Sequence, residues 1–227
     1  MVATMPDTNL LRAVAERGVA APERSQLQRF DWLLTALDIF VAEGIDAVRI
    51  TRLANELGVT RGSFYWHFTN RDDLIESLVA YWRDKNTSVI VEAVSSATSL
   101  SDGIFNFFDT CVDSNLFDPR LDLAIREWAR RSEDIRQQID QADETRVKAI
   151  TSLFSRYAYP MPEAFIRARV IYFAQIGFYA LDVKESLSTR LSYTEAYYEC
   201  FTGKTLSPTL ADSFRKRIND KYLGKLT

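Results

Sequence analysis

Arg61, Gly62, Ser63, Tyr65, Trp66 and His67 crowd the chain's most distinctive side-chain chemistry into one short stretch. A guanidinium makes paired hydrogen bonds to a planar acceptor edge, a hydroxyl donates or accepts, and a phenol and an imidazole suit anionic oxygens. Glycine lets another surface approach the backbone closely. The intervening Phe64 and Phe68 stand at i, i+4 and turn together toward a core. The other residues are left pointing elsewhere. Such a set on a solvent-facing helix suits a surface that meets phosphates and base edges.

The residues just before this stretch supply what must position it. Leu53, Ala54 and Leu57 fall at i, i+1 and i+4, one face of a short helix that Thr51 is expected to cap. Gly58 takes the left-handed conformation that ends it, Val59 turns inward, and Thr60 caps a second helix. Two short helices joined by a glycine turn are a helix-turn-helix. The elements Leu53-Ala54, Leu57-Gly58-Val59 and Phe64-Tyr65-Trp66-His67-Phe68, followed by Arg71 and the apolar Leu74-Ile75, resemble the DNA-binding domain of the TetR family of bacterial transcriptional repressors. The resemblance is sharp over residues 26–80 and one of layout beyond.

The resemblance implies a role for each matching position. Arg61 and Ser63 meet base edges. Tyr65 and His67 contact phosphate, and Trp66 between them is expected either to add a backbone or methyl contact or to pack on the connecting helix. Thr51, Arg52 and Arg71 are expected on phosphates, with Thr60 and Gly62 completing the DNA-binding set. It also implies a second domain that binds a small molecule and forms a homodimer, placing two recognition helices about 34–36 Å apart on a palindromic double-stranded DNA operator.

Composition agrees with an all-α protein. Of 227 residues, eight are glycine and six proline, and strand-like alternation is hard to find. The net charge of −3 argues against a generally basic coat for nucleic acid. From Arg49 to Arg71, however, four arginines face one glutamate, a net +3, whereas residues 24–75 hold six arginines against seven acids, a net −1. The positive charge is thus focused on the reading face. Cys111 and Cys200 form no metal-ligand motif or disulfide framework. The longest apolar run, Val170 to Leu181, falls short of the roughly 20 residues of a membrane span. A cytoplasmic protein is expected, with no membrane partner.

Helical periodicity predicts a three-helix N-terminal domain over residues 25–70, preceded by a flexible arm at residues 1–24 and followed by a larger helical domain at residues 71–227, to which the resemblance assigns effector binding and dimerisation. The first helix spans Ser25 to Glu43 and stops at Gly44. Asn70 caps a long helix reaching toward Val94. Residues 95–102 read as a loop, and further helices span Ile104–Asn115, a segment opening at Pro119, a long stretch through Ile135 and Tyr157, Glu163–Val183, Tyr193–Phe201 and Pro208–Leu223. Glu163–Val183 is apolar nearly all round in its later half, as a helix shared with a partner's equivalent would be, and Gly177 would allow close packing there.

The second domain is rich in aromatics. Phe105, Phe108, Trp128, Phe154 and Tyr179 are candidate walls of a mostly apolar cavity, with Cys111, Tyr172 and Gln175 as polar markers. Catalysis is not expected. One histidine rules out most histidine triads and multi-histidine metal sites, and no GxSxG, Walker loop or GxGxxG occurs. Asp109 and Asp113 share a helix face, but among polar residues read as solvated. No cofactor and no metal are implied. The expected function is a ligand-responsive regulator, most simply a repressor released by a small apolar effector. The alternatives are an activator of the same kind, or a helical small-molecule binder whose helix-turn-helix is only structural.

Overall fold

The computed structural model describes residues 27–222, and they are all-α: no strand occurs among them. The expected N-terminal arm lies outside the described residues. Two compact units form. One holds residues 27–87 and 118–142, and the other residues 88–117 and 143–222.

In the first unit α1 is Arg29–Glu43, with Gln28 in its cap position, and the expected start at Ser25 lies outside the described residues. Gln28 and Asp31 satisfy each other's backbone in a capping box. Gly44, at φ 85°, ends the helix as expected. A single turn, Ile45–Ala47, leads into α2 (Ile50–Glu56), and α3 (Arg61–Phe64) follows. Thr51 is not the cap of α2. The helix starts earlier, after Arg49, whose carbonyl already accepts from the Leu53 N–H. Thr60 occupies the cap position of α3 without a side-chain cap bond. Gly58 has φ 66°, the left-handed turn the sequence requires. Then α4 (Arg71–Arg83) opens on Asn70, whose side chain accepts from the Asp73 N–H.

Trp32, Phe40, Leu53, Phe64, Phe68 and Leu74 are buried at the centre of this unit. Trp32 meets Phe64 edge-on at 5.3 Å, and Phe64 stacks on Phe68 at 5.4 Å. The unit is completed by α7 (Pro119–Ala129), capped by Asp118 with proline in its first turn. Trp82 donates to the buried Asp122 at 2.9 Å, tying α4 to α7.

The helical path continues from α4 through a wider turn at Asp84–Ser88 into α5 (Val89–Ser95). In the second unit α6 (Leu100–Val112) begins inside the stretch read as loop, because Ser99 caps the Asp102 N–H. The long α8 (Glu133–Arg156) contributes residues 133–142 to the first unit and 143–156 to the second. Then come α9 (Glu163–Ala180), α10 (Leu187–Ser192), α11 (Thr194–Thr202) and α12 (Pro208–Tyr222). The short α10 has no counterpart in the sequence reading.

Phe105 stacks on Phe214 at 4.2 Å within the second core. Gly103 lets α6 lie against α8: a Cβ there would stand 2.5 Å from Leu153 Cδ1. Asp109 and Asp113 are not a solvated pair. Asp109 accepts from Tyr222 at 2.7 Å and Lys221 at 3.0 Å, and Asp113 pairs with Lys221 at 3.2 Å. These carboxylates latch the end of α12.

Candidate nucleic-acid interface

The two-helix unit is packed on one side and bare on the other. Phe64 and Phe68 are buried, whereas Trp66 is 88% exposed and Tyr65 54% exposed. Arg61, Gly62, Thr51 and Thr60 are exposed as well, and Ser63 and His67 are half-buried. Arg61, Ser63, Tyr65, Trp66 and His67 therefore come together on α3 and the turn that follows it. Gly62 is not required by its own backbone, since a Cβ there would meet only Thr60 Oγ1 at an ordinary 3.6 Å. Its exposure leaves room for another surface.

Two guanidiniums brace this surface from behind. Arg71 donates Nε to the Val48 carbonyl and Nη2 to the Ile45 carbonyl, each at 2.7 Å. It fixes the turn that launches α2. Arg52 is engaged with Glu43 through two bonds of 2.5 Å. Both were expected on phosphates, and in the free protein both hold protein groups.

Arg29 is the positioning residue that the sequence reading missed. Its guanidinium donates to the His67 carbonyl, lies 4.0 Å over the Phe68 ring, and bonds Asp73 and Ser77 at 2.8 Å each. One side chain of α1 thus clamps the end of the α3 turn to the start of α4. The Arg29 hydrogen bond holds the Asp73 carboxyl below its usual pKa, helped by the Thr69 N–H. No local signal marks Arg29, because its partners lie about 40 residues away.

The second unit contains an apolar cavity of about 100 Å³. Of the residues expected to line it, Phe105, Phe108 and Gln175 do so. Phe178, Arg190 and Tyr197 line it too. Cys111 is buried and offers its carbonyl to Tyr179 at 2.7 Å. Burial pushes the Tyr179 hydroxyl well above its ordinary pKa. Tyr172 links Arg146 and Asp143 at 2.8 and 2.6 Å, and Phe154 packs edge-on against Tyr159. Trp128 belongs to the first unit, where it packs on Phe40 at 5.9 Å. These last five residues do not line the cavity. Arg190 was missed because its helix was, although Leu187, Arg190 and Leu191 have the i, i+3, i+4 spacing of one face. Among the described residues no cluster of three metal-ligating side chains occurs, and no helix is long and apolar enough to cross a membrane.

Comparison with known proteins places this geometry. Residues 33–78 match the model of the bacterial regulatory proteins of the tetR family. An uncharacterized HTH-type transcriptional regulator, TtgW of Pseudomonas putida, is 34% identical over 64 residues, which are 28% of this chain and 46% of that protein. The HTH-type transcriptional regulator SrpR of Pseudomonas putida is 31% identical over 67 residues, 30% of each chain. The match therefore spans less than half the length of these relatives. The solved structure of the ketosteroid transcriptional regulator KstR2 of Mycobacterium tuberculosis aligns over 80% of this chain and 97% of its own, with a TM-score of 0.56 at 16% identity. That similarity extends the shared fold beyond the helix-turn-helix. Over residues 33–78 the chain carries the helix-turn-helix of the bacterial regulatory proteins of the tetR family, and the all-helical fold around it is shared with solved regulators.

Proposed function

We propose that the chain is a homodimeric transcriptional repressor of the cytoplasm that reads a palindromic operator through the Arg61–His67 face and releases it when a small apolar effector enters the cavity. The observation that carries the reading is the contrast across α3: a core-packed back whose following turn Arg29 clamps, and a front where Tyr65 and Trp66 stand in water. A rigid helix presenting aromatics, a guanidinium and hydroxyls suits DNA readout, since positions fixed beforehand cost no ordering on binding. In this reading Arg61 and Ser63 read base edges. Tyr65 and His67 bind phosphate, with Trp66, Thr51, Thr60 and Gly62 at the contact margin. Arg52 and Arg71 lend positive charge as well as support.

Dimerisation is supported by α9. Ala168, Ile171 and Tyr172 are buried in its own unit, while Ile166, Val170 and Phe173 on the other side are 42–52% exposed. A Cβ on Gly177 would meet nothing within 4 Å. A second copy of this helix would cover that stripe. In this division residues 25–70 read DNA and residues 71–227 bind effector and partner. The effector acts by population shift, binding more tightly to the state whose recognition helices no longer match the groove spacing.

The test is Tyr65→Phe, which removes only the hydroxyl. Titration of labelled duplexes of different sequence should show binding weakened about tenfold for all of them alike. Unchanged affinity, or a loss confined to one base position, would contradict the phosphate role.

A further inference from the structure

We propose, resting on the reading of the cavity as an effector site, that its ligand is a small carboxylic acid: an apolar body no larger than about one ring, with a single anionic head held by Arg190 and Gln175. The walls are mostly hydrocarbon and aromatic, and no acidic residue is among the described residues that line them. Into this lining comes the half-buried Arg190, with Cζ 4.2 Å from the centre of the Phe178 ring. Its one hydrogen bond is a long one, 3.3 Å from Nη2 to Gln175 Oε1. No carboxylate among the described residues pairs with it.

Gln175 is only 5% exposed. Because its Oε1 faces the guanidinium, its Nε2 is left as a donor that interacts with the Tyr179 hydroxyl but makes no hydrogen bond of ordinary geometry. A buried polar group without a well-formed hydrogen bond, beside an unpaired charge at an apolar cavity, costs stability in the empty protein. The cost is recovered if a ligand supplies the missing acceptor.

The chemistry of that acceptor follows from the donors. Arg190 and Gln175 Nε2 offer N–H groups, and the nearby Thr194 hydroxyl is already spent on the Leu191 carbonyl at 2.7 Å. A donor-only head with one positive charge suits a monoanion. A planar guanidinium beside an amide matches the two oxygens of a carboxylate, whereas a phosphate dianion would leave charge uncompensated. Size follows from the volume. An engineered apolar cavity of about 150 Å³ holds benzene, so about 100 Å³ limits the body to at most one ring or a short branched chain.

Calorimetric titration of the full chain with benzoate and with benzamide tests this. The two share a ring and differ in head charge. The expected result is that benzoate binds at least about tenfold more tightly. Arg190→Met should abolish the preference. Gln175→Glu, which gives Arg190 an internal carboxylate, should do the same, and thermal melts of both variants confirm folding. Equal binding of the two probes, or a benzoate preference that survives Arg190→Met, overturns the carboxylate assignment and leaves the effector cavity standing. If neither probe binds the wild-type chain, the carboxylate proposal and the effector cavity fall together.

Discussion

Among single residues, Asp73 couples the support of the reading face to pH. Its carboxyl is held below the ordinary pKa by Arg29, so it contributes stability that is fully present above the ordinary value of about 3.9 and is lost as pH falls through its lowered folded value. Melting temperatures of the wild-type chain and Asp73→Asn should therefore differ at pH 7, with the difference shrinking progressively as pH falls below about 4. A constant gap down to pH 3 would mean that the charge of Asp73 does not matter. The face that Arg29 and Asp73 support was legible in the sequence. Arg61, Tyr65 and Trp66 are exposed where the i, i+4 pair Phe64 and Phe68 forces them to be, because a helix that buries one face must present the other. The support itself was not legible. Arg29 acts through contacts that cross about 40 positions, and no local period reports such a contact.

At the scale of elements, helix starts were read well where a cap lies in the sequence. Asn70 and Pro119 open their helices as expected. Other boundaries shifted where a cap went unread. The first turn of α6 begins at Leu100, inside a run of small polar residues, since Ser99 and Asp102 complete a local cap. The short α10 escaped notice because its six residues hold only one helical repeat, Leu187, Arg190 and Leu191, too brief to stand out. Gly103 carries a sharper expectation. Its added Cβ would collide with Leu153 Cδ1, Cδ2 and Cγ at 2.5, 2.6 and 3.1 Å, and Leu153 is fully buried. Gly103→Ala should cost about 1–3 kcal/mol by overpacking, offset by about 1 kcal/mol of helix propensity. Urea unfolding should also show the sign reversing in a Leu153→Ala background, where the methyl fills space. Additive effects of the two changes would contradict the close approach of α6 and α8.

At the scale of the whole molecule, the all-helical class followed from composition and period, and the likeness to the TetR family from one motif. Which aromatics enclose a cavity did not, because every buried aromatic has the same pattern in a sequence. Phe105 and Phe108 line the cavity, whereas Phe154 packs in solid core and Trp128 belongs to the other unit. In the proposed function two copies joined along α9 read a palindrome through Arg61. The most direct measurement is selection of bound sequences from random duplex DNA by the wild-type chain, Arg61→Ala and Phe173→Glu. The account predicts a palindromic motif for the wild type, the same motif blurred at one base per half-site for Arg61→Ala, and loss of the two-fold motif for Phe173→Glu, which puts a charge on the exposed stripe of α9. A wild-type chain that enriches no sequence, or a motif unchanged by Arg61→Ala, would contradict it.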